Sequence, residues 1–399
     1  MKTTIIDLGM HPYADTFIAK TQLALSEPVY PLQCELDDET GHVMLKFETN
    51  SDDRYNLYDY SYTSANSQFS RDHWDSYAED TLDKVEESTG MVEKVLEIGS
   101  NDGYLSKKYQ EQGLEVLGVD PSKYMAKVAL EQGIRTHCDI FNDCTSSVIE
   151  KIHGKFDMVV ANNVFNHAND PIDFAKGVKN ILRPDGVFIF EVPYWYNTIV
   201  DMRFDQIYHE HTSYFTVKSS VELLKKAGLT VFDVEVVDYH GGSIRVYARI
   251  DDTIALSKIG NISSVNALIE KETEAGLFDV ETYKTFMKDI KKFRAIFLET
   301  LYALSKAGKP IVGIGAAAKG NTFLNFYNLD NTVLDYITDV SQHKIGKYTP
   351  LTRIQILDDK TVFDKYDEVY AVILSWNISD LLKEKLQKIS KAKINFLTI

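Results

Sequence analysis

The run Leu96-Glu97-Ile98-Gly99-Ser100-Asn101-Asp102-Gly103 constrains this chain most, because an apolar strand pattern enters a glycine-bracketed loop and leaves as a helical pattern. Glycine lets a backbone turn sharply and pass close to a ligand, so Gly99 and Gly103 bracket a turn that Asn101 and Asp102 can line. A second apolar run, Val116-Leu-Gly-Val119, follows and ends on Asp120. An acid at the tip of a second strand can accept both hydroxyls of an adenosine ribose. Short strand-like runs and longer helical ones keep alternating, with helical patterns over Tyr104 to Gln112 and Lys123 to Gln132 and a strand over Met158-Val-Val-Ala161. Such alternation predicts an α/β fold, a mostly parallel sheet with helices on both faces.

The same reading divides the chain. Residues 1–85 mix short strand-like runs such as His42-Val-Met-Leu-Lys-Phe47 with a tyrosine-rich stretch, Tyr55 through Tyr62, and predict a small irregular domain. Residues 86–254 carry the glycine loop and its α/β pattern. Residues 255–307 predict a helical connector, with Phe286, Ile290, Phe293, Phe297 and Leu301 at successive i+3/i+4 spacings. At Pro310 the pattern restarts, and residues 308–399 predict a second, smaller Rossmann-like unit.

Bulk properties exclude several classes. A net charge of -16 and the lack of any Lys/Arg block argue against nucleic acid as a partner. No stretch approaches the roughly 18 apolar residues of a membrane span, and Asp7, Pro12 and Asp15 interrupt the N-terminus where a signal peptide needs an apolar run. A soluble, cytoplasmic protein with no membrane partner is expected. Cys34, Cys138 and Cys144 form no C-x-x-C pair, which argues against disulfides and against a cysteine-rich zinc site.

A dinucleotide fingerprint needs G-x-G-x-x-G. Here Glu97 precedes one glycine, and three residues separate it from the next. That E-x-G-x-x-x-G form resembles the class I methyltransferases, which bind S-adenosylmethionine and have no pyrophosphate to cradle. The strand Phe156 to Ala161 then ends in Asn162-Asn163-Val-Phe-Asn166-His167, at the sheet edge where open α/β folds place ligands. Asn162 or Asn163 is placed to face the methionine part of the cofactor, and His167 to project toward the reacting methyl.

Tyr208-His209-Glu210-His211 gathers a phenol, two imidazoles and a carboxylate, groups able to move protons near neutral pH. A helix there would point Tyr208 and His211 the same way and His209 and Glu210 elsewhere. H-E-H lacks the H-E-x-x-H spacing that puts two histidines on one helical face, and no cysteine lies near, so no metal is expected. Two further glycine motifs suit an anionic ligand. In His240-Gly241-Gly242-Ser243-Ile-Arg245 the glycines admit close approach and Arg245 can pair with a phosphate. In Gly313-Ile-Gly315-Ala-Ala-Ala-Lys319-Gly320-Asn321 a strand opens into a helix N-terminus, with Lys319 as counter-charge. The G-K-[ST] ending of a P-loop is missing there, so ATP hydrolysis is not indicated.

Together these motifs, with Leu8-Gly-Met-His-Pro12 and Tyr60-Ser-Tyr62-Thr-Ser64, make the chain similar to the sugar C-methyltransferases that act on TDP-linked 4-keto deoxysugars and install a methyl branch at C-3. The resemblance spans nearly the whole chain. It implies a three-domain enzyme that binds S-adenosylmethionine through Glu97, Gly99, Asn101, Asp102, Gly103, Asp120, Asn162 and Asn163. A nucleotide-sugar substrate would lie between the methyltransferase and C-terminal domains, against Arg245, Gly315, Lys319 and Asn321. Carried over residue by residue, His211 is the catalytic base, with Tyr208, Glu210, His167 and Tyr62 at the sugar. The sequence departs from the family at its N-terminal zinc subdomain. The family's two C-x-x-C pairs are missing and only Cys34 stands in that region, so zinc is not expected.

The chemistry agrees with the residues. A proton α to a ketone is acidic enough for a histidine to remove when an enolate can form. Tyr208 or His167 can donate to the enolate oxygen, and Glu210 can orient a neighbouring imidazole. Two alternatives remain open: O- or N-methylation of such a sugar, in which the cluster deprotonates a hydroxyl or an amine, and an NAD-dependent or non-catalytic protein reusing the two α/β units.

Overall fold

The structure, a computed structural model, describes residues 1–50, 67–250 and 261–397. Tyr62 lies outside the described residues. At the N-terminus β1 (Lys2–His11), β2 (Tyr30–Asp37) and β3 (Val43–Leu45) form an antiparallel sheet. Its fourth strand, β9 (Ser213–Tyr214), comes from the next domain and directly follows the Tyr208–His211 segment. Burial in β2 alternates as a one-faced strand must, and Leu32, Cys34 and Leu36 all point into the core. Cys34 thus stands in an apolar interior.

The central sheet contains β4 (Lys94–Ile98), β5 (Glu115–Val119), β6 (Thr136–His137), β7 (Phe156–Asn162), β8 (Leu182–Pro193), β10 (Leu229–Val237) and β11 (Ser243–Ile250). Its order is β10-β11-β8-β7-β4-β5-β6. Strands β4 to β8 pair in parallel, and β11 runs antiparallel to both of its neighbours. The direction of winding reverses between β4 and β7, which opens a crevice at their carboxyl ends. Val95, Leu96, Met158, Val159 and Val160 are fully buried because helices cover both faces.

One expected boundary moves. The helix Gln68–Thr89 runs across the division at residue 85. Its Trp74, Tyr77, Ala78, Leu82 and Val85 pack with Val95, Leu105, Met158 and Val187 of the central domain. That apolar stripe can be buried only against the sheet, so the helix is part of the methyltransferase-like unit and not of a domain ending at 85.

In the stretch between the two α/β units the described residues form two helices, Ile262–Glu274 and Val280–Lys306. Phe286, Ile290 and Leu301 are buried, and Phe297 packs on Phe323. Phe293 departs from the pattern and is 55% exposed. The long helix adjoins Thr4 to Asp7 of β1 through Lys284, Met287 and Lys291, and its later turns rest on the C-terminal domain. Phe293 falls between those two contacts. The C-terminal sheet is all parallel, in the order β14 (Ile356–Leu357), β13 (Tyr336–Thr338), β12 (Ile311–Ile314), β15 (Glu368–Ile373), β16 (Lys393–Leu397). One apolar cluster runs from Leu36 through Tyr283 to Phe323, so the first and last domains share an interior.

Candidate active site

The glycine loop folds as its residues require. Gly99 (φ +72°) and Gly103 (φ +81°) both occupy the left-handed region, and a Cβ on Gly99 would stand 2.9 Å from the Val164 side chain. Asn101 also has positive φ, and its N–H donates to Asp120 Oδ2 at 2.9 Å. Ser122 N–H donates to the other oxygen, Oδ1, at 2.8 Å. Asp120 therefore bridges the loop after β4 and the loop after β5, with a lone pair left on each oxygen. Burial raises its pKa above the ordinary carboxylate range. Glu97 is buried and accepts the Ser106 hydroxyl, and burial pushes its pKa up to about 8. It braces the loop against the following helix. Asp102 Oδ1 accepts Tyr104 N–H at the start of that helix.

Beside this loop lies a cavity of about 230 Å³ walled by Gly99, Val119, Pro121, Phe141, Val164 and His167. All stand at or beyond the carboxyl ends of β4 to β7. Asn162 closes β7 with both amide atoms buried and, among the described residues, unpartnered, a set that a bound amino-acid group would satisfy. Asn163 sits at φ +52° and spends its N–H on Glu191 O. A strand-tip acid with a lone pair left on each oxygen, a clearance that any side chain on Gly99 would fill and an orphaned amide would together suit the nucleoside and amino-acid ends of S-adenosylmethionine.

Tyr208 to His211 is a turn and not the expected helix, closed by His211 N–H on Tyr208 O at 2.9 Å. An i to i+3 turn still brings the two side chains together, with Tyr208 Oη 2.7 Å from His211 Nε2 and their rings 4.0 Å apart. His211 Nδ1 lies 3.1 Å from Gln206 O. A carbonyl can only accept, so Nδ1 carries the hydrogen and Nε2 accepts from the phenol. Burial, and secondarily the charge of Lys319, lowers the His211 pKa to about 3 and keeps the ring neutral. His167 lies 5.2 Å from His211, ring to ring, and also walls the cofactor cavity. Glu210 faces away: its Oε1 accepts Asp15 N–H at 3.0 Å, and burial pushes its pKa up to about 7. It braces the N-terminal domain, and its hydrogen bond goes to that backbone N–H. His209 is fully buried against Tyr13 and Tyr30. Among the described residues no three His, Cys, Asp or Glu side chains gather as a metal site.

The expected phosphate contacts fare unevenly. Lys319 donates to Asn377 Oδ1 at 2.5 Å and lies 4.6 Å from the Trp376 ring, with its pKa lowered to about 8 by burial. Arg245 is otherwise engaged: its Nε bonds Glu191 Oε2 at 3.0 Å, its guanidinium lies over Tyr77, and only 5% of its side chain is exposed. It lies on β11 in mid-sheet, where a buried carboxylate needs it more than a ligand can reach it. Asn321 donates to Ala14 O at 2.6 Å and ties the C-terminal domain to the N-terminal one. Gly315 makes room for Ser375, whose Oγ lies 2.1 Å from where a Cβ would be. The adjacent Ala316 N–H is taken by Asp339. Gly241 and Gly242 likewise clear space for Trp376 and Asn197.

Residues not singled out from the sequence complete the site. Phe141 walls the cavity beyond β6, a strand too short for its apolar pattern to register. Asn166 is 2% exposed with both amide atoms unpartnered. His73 reaches Glu191 Oε1 at 2.7 Å and stacks on Tyr239 at 3.8 Å. The Gln206 carbonyl was illegible because backbone groups have no sequence signature.

A seven-stranded sheet of this order, a glycine loop and an acid closing β5 define a class I methyltransferase fold. Comparison with known proteins agrees: residues 61–234 match the family model described as a methyltransferase domain, and residues 238–399 match the C-methyltransferase C-terminal domain. C-methyltransferase NovU of Streptomyces niveus is 28% identical over 94% of this chain and 87% of its own length. The putative methyltransferase YqeM of Bacillus subtilis (strain 168) is 29% identical over 27% of this chain and 45% of that protein. A solved S-adenosylmethionine-dependent methyltransferase from Clostridium acetobutylicum ATCC 824 is 16% identical, with a TM-score of 0.37 over 47% of this chain and 94% of that one. Along nearly its whole length the chain is similar to S-adenosylmethionine-dependent C-methyltransferases. No helix among the described residues is long and apolar enough to cross a membrane.

Proposed function

We propose that this enzyme methylates carbon C-3 of a nucleotide-linked 4-keto deoxysugar in the cytoplasm, with His211 as the base that forms the enolate. The observation that carries the reading is the position of His167, which walls the cofactor cavity and stands 5.2 Å from His211. A base one imidazole away from the cofactor is placed for a substrate atom between them. Transfer to carbon is favoured by the name borne by the full-length relative, a C-methyltransferase. The sugar class rests on the resemblance of the motifs.

His211 Nε2 would take the proton from C-3, and the C–H electron pair would enter the enolate. Tyr208, released from Nε2, would turn its O–H to the enolate oxygen, where a donor is worth most. Bound S-adenosylmethionine supplies the electrophilic methyl that the carbon takes. A neutral ring is the form that accepts a proton, and burial keeps His211 neutral. A diphosphate beside Lys319 would offset the positive charge that weakens His211 as a base.

Deuterium wash-in tests the reading. In D2O with a TDP-linked 4-keto deoxysugar, the enzyme should exchange the hydrogen α to the ketone, and His211→Asn should abolish exchange while S-adenosylmethionine still binds. Methyl transfer to the sugar without any exchange, or with exchange intact in the variant, would overturn it.

A further inference from the structure

We propose that Trp376 is a positioning residue for His211: through its indole N–H, the C-terminal domain sets the tautomer and placement of the base. The proposal rests on the reading of His211 as the base. Trp376 follows β15 and crosses to the methyltransferase domain, where its Nε1 donates to Asp205 Oδ2 at 2.7 Å. Asp205 is 5% exposed and lies in the single turn Phe204–Gln206. The next carbonyl along, Gln206 O, holds His211 Nδ1 at 3.1 Å. One hydrogen bond on a buried carboxylate therefore pins the turn whose carbonyl fixes which ring nitrogen of His211 carries no hydrogen.

The seat for this indole is built into the methyltransferase domain. Gly241 has φ +87°, and a Cβ there would come within 2.3 Å of the Trp376 ring. The Arg203 guanidinium lies 4.2 Å from the ring centroid. The Gln206 side chain reaches His240 O at 3.4 Å, so the turn and the glycine seat are joined. A ring serving only to fill space would need neither a buried acid at its N–H nor a glycine under its far edge. Losing the N–H leaves a buried carboxylate short of a donor, and the turn relaxes with it.

The test uses W376F, which keeps the ring and deletes the donor, and the pair D205N and D205A, which keep and delete the acceptor. In proton–nitrogen spectra of histidine-labelled enzyme, His211 should show one tautomer protonated at Nδ1. W376F and D205A should shift that signal toward a mixture, and D205N should retain it. With the nucleotide sugar, kcat of W376F should fall on the order of ten- to a hundredfold, with KM changed less than about twofold. A wild-type His211 signal and wild-type kcat in folded W376F would overturn the proposal. Should W376F fail to fold, a wild-type signal in D205A would overturn it equally. The spectra need no sugar, so an enzyme that methylates no nucleotide sugar but shows the tautomer shift defeats the functional reading and leaves the positioning role standing.

Discussion

Tyr208 Oη donates to His211 Nε2 across 2.7 Å, so the phenol occupies the nitrogen that receives the proton in the proposed reaction. Phenol and imidazole satisfy each other in this arrangement. Replacing Tyr208 with Phe keeps the tilted ring contact and deletes the donor. Y208F should lower kcat about 10²- to 10³-fold, the usual cost of one lost oxyanion donor. The affinity for S-adenosylmethionine should hold, and steady-state methyl transfer beside calorimetry of cofactor binding reads both.

Asp120 is held by two backbone N–H groups and keeps one lone pair per oxygen, which in the proposed site would accept ribose hydroxyls. D120A would remove that contact and the bridge between two loops. S-adenosylmethionine binding should weaken by about 2–4 kcal/mol, a roughly 30- to 1,000-fold rise in Kd by calorimetry. Unchanged affinity would remove Asp120 from the cofactor site.

Glu97 makes stability depend on pH. Its pKa rises from 4.5 to about 8 on burial, so the folded state binds a proton that the unfolded state has released. The contribution is fully present below pH 4.5 and is lost as pH rises toward 8. The loss should be on the order of a few kcal/mol. E97Q stays neutral and can still accept from Ser106. Thermal melts should show a shallower fall between pH 5 and 8 in E97Q than in wild type, and parallel curves would refute the assignment.

Arg245 separates a structural role from a phosphate-binding one. R245A leaves Glu191 buried without its strongest partner, and stability should fall by about 3–5 kcal/mol in denaturant titration. A phosphate ligand would show instead as a raised KM for the nucleotide sugar with stability nearly intact. The geometry favours the first outcome.

Much of the fold was legible because it rests on local periodicity. Alternating apolar runs announce β4, β5 and β7, and the glycine loop bridged by Asp120 is legible too, since positive φ and a strand-tip acid are written in single residues. Tyr208 and His211 are neighbours in a helix or a turn alike, so their pairing survives the wrong local geometry. What only the tertiary structure decided is how groups far apart in the chain claim one another. Arg245 belongs to Glu191, Asn321 to Ala14, and the glycines at 241 and 315 to Trp376 and Ser375. A glycine in sequence declares that something comes close, and packing alone settles whether that is a ligand or another part of the protein. The carbonyl of Gln206 meets His211 through backbone, and the indole of Trp376 meets Asp205 from a second domain, interactions that leave no periodic or compositional trace.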